Sequence, residues 1–224
     1  MRDPRLDRLA SVLVGYSTQV RPGDIVEIIS EPIALPLIEA IVEQVLRAGG
    51  HPSWRVRSEA IEEILLRDGN EEQLRFLSPL ERQRVETIDV HIGIWAEINT
   101  RYLARVEPAR VAMNRAARRP VTTRFMQRAA EGKLRWVGTQ FPTLAAAQDA
   151  EMSLADYENF VFSAGMLHDS EPAAAWARVH ERQERVRAFL QGRKEVHFHV
   201  PPHDGHDGTD LRVSVDGATW INCS

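Results

Sequence analysis

Four histidines and three aspartates fall between residues 197 and 210: His197, His199, His203, Asp204, His206, Asp207 and Asp210. Imidazole and carboxylate are the donors that hold zinc and related ions, three or four at a time. His197 and His199 stand two apart in an apolar run, so a strand would carry both on one face. The stretch from Pro201 to Gly208 could add ligands. It is also rich in Pro and Gly, which fits a solvated loop with only adventitious metal binding.

The other candidates are thinner. His180-Glu181-Arg182-Gln183-Glu184 begins like the zinc-protease helix H-E-x-x-H, but its fifth position is Glu184 and not His. Its neighbours Arg178, Arg182, Arg185 and Arg187 suit a solvated, charge-laced helix face. No G-x-S-x-G elbow is present, and no Walker A or G-x-G-x-x-G follows a strand. The turn Ser30-Glu31-Pro32 has no glycine to let a phosphate approach. Cys223 has no evident base partner and reads as a small packed residue. Arg115, Arg118 and Arg119 form the tightest basic cluster in a chain with 26 Arg and 2 Lys. They could bind an anion, or line a helix face paired with acids. Trp54, Trp95, Trp136, Trp176 and Trp220 read as core residues and not as a stacking platform. From residue types and spacing alone, no catalytic, cofactor-binding or metal-binding residue is assigned.

The elements that would position these groups alternate. Asp3-Pro4 starts a helix, with Asp as N-cap and Pro at the first helical position. Leu6, Leu9, Val12, Leu13 and Tyr16 form its apolar stripe. Ile25 to Ile29 is a β-branched run typical of a buried parallel strand. A helix from Pro36 to Arg47 faces Leu37, Ile38, Ile41, Val42, Val45 and Leu46 inward, and Ala48-Gly49-Gly50 stops it. Trp54 to Arg57 is a second strand. Helices follow over Ala60–Arg67, after the Asn70/Gln73 capping box, and after a second box at Ser78–Glu81. Val90–Trp95 and Leu134–Thr139 are the third and fourth strands, flanking an Arg-rich helical stretch from Pro108. Helices opened by Thr143, Ser153 and Pro172 lead to a fifth strand, Glu195–Val200. In the tail, Leu211, Val213 and Val215 alternate with polar residues. Asp216-Gly217 then signals a hairpin turn, with Ala218–Cys223 as the returning strand.

The expected fold is α/β: a mainly parallel twisted sheet flanked by helices, with a C-terminal β-hairpin that starts a second sheet. Residues 1–200 would be the α/β domain, and 201–224 the beginning of a further domain. A length of 224 residues with 43% hydrophobic and 27% charged composition suits a globular chain. A net charge of −4 argues against a dedicated nucleic-acid binder. One cysteine excludes a disulfide framework. No apolar run approaches the ~18 residues of a membrane span, and the charged N-terminus does not read as a signal peptide. A cytoplasmic protein with no membrane partner is expected.

Five segments resemble one family. They are Asp3-Pro4-Arg5-Leu6 through Val20-Arg21-Pro22-Gly23-Asp24; Ile92-Gly93-Ile94-Trp95-Ala96-Glu97-Ile98-Asn99-Thr100-Arg101; Gly132 through Thr143; Ala147-Gln148 through Phe162; and Gly208-Thr209-Asp210-Leu211 through Asn222. In order and spacing they are similar to the N-terminal domain of the thermophilic metal-dependent aminopeptidase family (aminopeptidase T and aminopeptidase S type). The third segment is the most specific. The resemblance implies an enzyme that removes N-terminal residues from peptides with two divalent metal ions, cobalt or zinc, and works as a homodimer enclosing its active sites. The family's metal ligands lie in a C-terminal half, beginning at an N-M-P-D-G-E stretch expected after Ser224. No position of this chain therefore inherits one, no ion is expected on it, and the isolated chain is expected to be inactive. Relative to the family, Pro201–Asp207 is a local expansion. The loop Glu97-Ile98-Asn99-Thr100 is the best cleft-facing candidate, with capping of a strand end as its alternative.

Two other readings stay open: a standalone module for oligomerisation or peptide binding, and a true metal site in the His203/His206 loop. The sequence does not choose a peptide preference or a metal.

Overall fold

A computed structural model describes residues 2–223. They fall into two compact units, Met1–Pro172 and Ala173–Ser224.

The first unit opens with α1 (Pro4–Ser11), which runs into a π-helical segment, Val12–Ser17. The Asp3 carboxylate accepts the Arg5 N–H at 2.8 Å and caps the helix. Then come β1 (Ile25–Ser30), α2 (Leu35–Arg47), β2 (His51–Val56), α3 (Glu59–Asp68), α4 (Glu71–Arg75), α5 (Pro79–Thr87) and β3 (Val90–Trp95). The unit continues with α6 (Pro108–Ala130), β4 (Arg135–Gln140), α7 (Leu144–Asp149) and α8 (Leu154–Ala164). The Asn70/Gln73 capping box forms in full, with bonds of 2.8 and 2.9 Å. At Ser78 only the hydroxyl cap forms, accepting the Leu80 N–H at 3.2 Å.

The four strands make one parallel sheet in the order β2-β1-β3-β4. Parallel register puts every second residue of neighbouring strands on one face. One face carries Val26, Ile28, Val90, Ile92 and Ile94, all buried, and α2 packs against β1 and β2. Leu37, Ile38, Ile41 and Val45 of α2 are buried as the apolar stripe requires. Leu46, expected inward, is exposed. The other face carries Glu27, His91 and Trp136, approached by α5 and α6. Helices on both sides of a parallel sheet are the expected doubly wound arrangement.

Arginines fix α6 in place. Arg128, buried, donates to the carbonyls of Val85 and Ile88 at 2.7 Å. Arg110 donates to the Leu66 and Gly69 carbonyls, and Arg124 forms a two-bond pair with Glu86. Arg128 and Arg110 close off carbonyls left over at helix ends and loops.

The second unit holds the body of α9 (Pro172–Leu190), β5 (Glu195–Val200) and β6 (Thr209–Ser214). β5 and β6 pair antiparallel as a two-stranded sheet of their own. The hairpin is thus present, but it is not the one built around Asp216-Gly217. Residues 215–223 form a turn and irregular chain, so Ala218–Cys223 is no strand. The backbone gives the reason. Tight hairpins favour turns with positive φ at both central residues. Asp204 and Gly205 have φ of 44° and 84°, whereas at Asp216-Gly217 only Gly217 is positive, at 74°. The working turn therefore sits within the β5–β6 loop, where His203 and His206 exchange backbone bonds of 3.2 and 2.8 Å.

Candidate functional site

The sheet order reverses between β1 and β3, since β2 lies to one side of β1 and β3 and β4 to the other. In open parallel sheets, ligand crevices form outside the carboxyl ends of strands at such a reversal. Here that position lies between Glu31, just after β1, and Ala96-Glu97, just after β3.

Protein carboxylates occupy it. Glu31, 5% exposed, accepts the Ala96 N–H at 3.0 Å and pairs with Arg57 at 2.9 Å. Glu59, at the start of α3, accepts the N–H groups of Ile98 and Asn99 at 3.0 and 2.8 Å. The loop Glu97–Thr100 is therefore tied down at its backbone, while its Ile98, Asn99 and Thr100 side chains are exposed. These backbone bonds meet the capping reading of the loop.

On the face of the sheet turned to α5 and α6 lies a buried charge cluster that the apolar appearance of β1 conceals. Glu27 is 1% exposed. It accepts a hydrogen bond from His91 Nδ1 at 2.9 Å, pairs with Arg84, and has Arg55 at 3.9 Å. Burial pushes the Glu27 carboxyl up, but the His91 hydrogen bond and the charges of Arg84, His91 and Arg55 outweigh it, so it titrates below the ordinary range. A lone acid inside Ile25–Ile29, and a lone histidine in Val90–Ile94, were the available signals. Register 27↔91 joins them.

Above the cluster a cavity of about 270 Å³ opens between the sheet and α6, walled by Trp95, Trp136, Phe125 and the Arg55 and Arg57 side chains. It exists because Gly93 and Gly138 sit side by side in register. The Trp95 ring lies over Gly138, where a Cβ would come within 2.5 Å of it. Trp95 and Trp136 are 47% and 49% exposed, and Trp54 is exposed on the edge strand. The expected core role fails for these three tryptophans. Trp54 shares an open pocket with Leu35, Ile38 and Val42 of α2, so the helix covers the edge strand only in part.

In the second unit the structure divides the seven-residue His/Asp cluster. His197 Nε2 lies 2.9 Å from Asp210 Oδ1, and His199 Nδ1 lies 3.6 Å from Asp210 Oδ2. One ligand atom from each of the three falls within 4.8 Å of the others. His203, Asp204, His206 and Asp207 stay in the loop and do not join them. The tight turn spends the backbone of His203 and His206 on each other, with ring centroids 5.6 Å apart.

The remaining candidates resolve into ordinary roles. Glu184 accepts two bonds from Arg187 Nε and Nη2, at 2.8 and 2.6 Å, which confirms a charge-laced helix face. Among the described residues Arg115 and Arg119 form no ion pair, and Arg118 donates to the Asn114 carbonyl at 3.3 Å, so the expected pairing with acids is absent. Cys223 is exposed and not packed. No helix among the described residues is long and apolar enough to cross a membrane.

With that geometry in view, comparison with known proteins places the chain. A search of curated protein sequences finds no match. Among solved structures, wild-type AmpT from Thermus thermophilus superposes with a TM-score of 0.75 at 18% identity, over 95% of this chain and 53% of AmpT. The likeness establishes a shared α/β fold, and this chain spans about half the length of that relative. The family model described as thermophilic metalloprotease (M29) matches residues 2–224. The chain belongs to the thermophilic metalloprotease (M29) family.

Proposed function

We propose that this chain is the N-terminal portion of a metal-dependent aminopeptidase acting on peptides in the cytoplasm. The observation that carries the reading is the pairing of a family match over residues 2–224 with coverage of only 53% of a solved relative. The β5–β6 hairpin adds support. Phe198, Val200, Leu211 and Val213 make one face apolar, yet they are 38–52% exposed. A two-stranded hairpin is marginal alone, and such a face suits a sheet that continues into further structure.

The family implies divalent metal chemistry: polarising a carbonyl and activating a water. Two adjacent ions ask for more donors than the described residues bring together in one group. Among the described residues, one group of His, Cys, Asp or Glu has three ligand atoms in mutual reach, His197, His199 and Asp210, and all three are exposed. That set suffices for one ion and does not fit a two-ion centre. By the family resemblance, the ligands of the catalytic pair would lie in a C-terminal half of the enzyme. This portion contributes positioning instead. The Glu97–Thr100 loop and the Trp95/Trp136 cavity would wall a cleft, exclude water and orient the peptide. A homodimer would close it.

The reading frame downstream of the Ser224 codon tests this directly. Continuation into an N-M-P-D-G-E stretch is the expected result. A stop codon there, with monodisperse soluble protein, would instead favour a standalone oligomerisation or peptide-binding module.

A further inference from the structure

We propose that His197, His199 and Asp210 form a single-ion site for zinc or a similar borderline divalent cation, which staples β5 to β6. This is separate from the two-ion chemistry of the family and does not rest on the aminopeptidase reading.

The geometry begins with the strand pleat. His197 and His199, two apart on β5, share a face. Register sets Asp210 of β6 directly across from His199 and one step diagonal to His197. The Asp210 carboxylate lies between the two rings, at 2.9 Å from His197 Nε2 and 3.6 Å from His199 Nδ1. The ring centroids are 6.0 Å apart. In a tetrahedral zinc site with bonds of ~2.0–2.1 Å, neighbouring ligand atoms sit about 3.4 Å apart. Small side-chain rotations bring three atoms already within 4.8 Å to that spacing. The nearest cation on this face, Arg212, is held by Glu195 at 2.9 Å, which offsets its charge.

Donor chemistry selects the ion. Two imidazoles and one carboxylate suit zinc and its neighbours, whereas calcium and magnesium ask for oxygen ligands. Three protein donors leave a fourth position for water. The exposed location gives an entry path. The site's work is structural: the pair β5–β6 has no third strand among the described residues, and an ion that binds the paired form alone stabilises it by mass action.

The test is zinc titration calorimetry on the chain, with hydrogen exchange on the hairpin amides. One zinc per chain is expected, with slowed exchange over residues 195–214. His197→Ala and Asp210→Ala should abolish stoichiometric uptake, and so should the milder Asp210→Asn. A His203→Ala/His206→Ala double variant should bind like the parent. Circular dichroism without metal checks that each variant folds. No stoichiometric uptake by the parent overturns the proposal. So does uptake that survives Asp210→Asn and His197→Ala, or uptake lost only in the loop double variant, which would move the ion to the loop.

Discussion

Glu27 and His91, on adjacent parallel strands and paired in register, are joined by a 2.9 Å hydrogen bond under an α/β sheet. The carboxylate is 1% exposed, and two arginines complete its surroundings. A charge so placed is stable only while its partners are.

Glu27→Gln should therefore lower stability by about 3 kcal/mol, because Arg84 and His91 lose the charge they face. Urea unfolding followed by circular dichroism measures it. A change under about 0.5 kcal/mol, the range of ordinary surface substitutions, would contradict a buried ionised cluster.

The same group sets a pH dependence. Its folded titration lies below the ordinary value of about 4.3, so the unfolded chain binds the proton first. The stabilisation is present above that value and is lost as pH falls through the depressed one. Thermal melts from pH 7 to pH 3 should show a drop at acid pH that is smaller in Glu27→Gln.

Gly138 and Gly93 should respond differently to alanine. At Gly138 the new methyl meets the Trp95 ring at 2.5 Å, and the ring must swing out. At Gly93 the nearest atom is His91 Nε2 at 3.4 Å, an ordinary contact. Gly138→Ala should cost about 1–2 kcal/mol and shift the tryptophan fluorescence. Gly93→Ala should do neither beyond the small cost of a surface change.

Arg128→Ala should be among the most damaging changes in α6. It leaves the Val85 and Ile88 carbonyls without their 2.7 Å donors, and each orphaned carbonyl costs about 1–3 kcal/mol. Arg128→Lys should recover only part, since one ammonium does not reproduce the planar fork. Melting temperatures of the two variants decide it.

Local chemistry was legible in the sequence and tertiary cover was not. The Asn70/Gln73 box and the Asp3 cap depend on residues a few positions apart, and both form. The parallel strands β1 and β3 announce themselves by β-branched runs. Trp95 and Trp136 look like core residues because they sit in strands, but whether a helix covers a given strand end is decided by the path of α6. Asp216-Gly217 and Asp204-Gly205 are the same dipeptide, and only the φ values tell which one folds two strands together. Of the His/Asp cluster, the two-residue spacing of His197 and His199 was readable. The choice of Asp210 over Asp204 or Asp207 required the register of β6.

As one portion of an M29 aminopeptidase, in the reading proposed above, this chain would hold none of the catalytic metal ligands. Leucine-4-nitroanilide hydrolysis by the 224-residue chain with added cobalt or zinc tests it most directly. No turnover above the metal-only blank is expected, even where zinc binds the hairpin. Robust turnover that a chelator removes would place a working centre within these residues and contradict it.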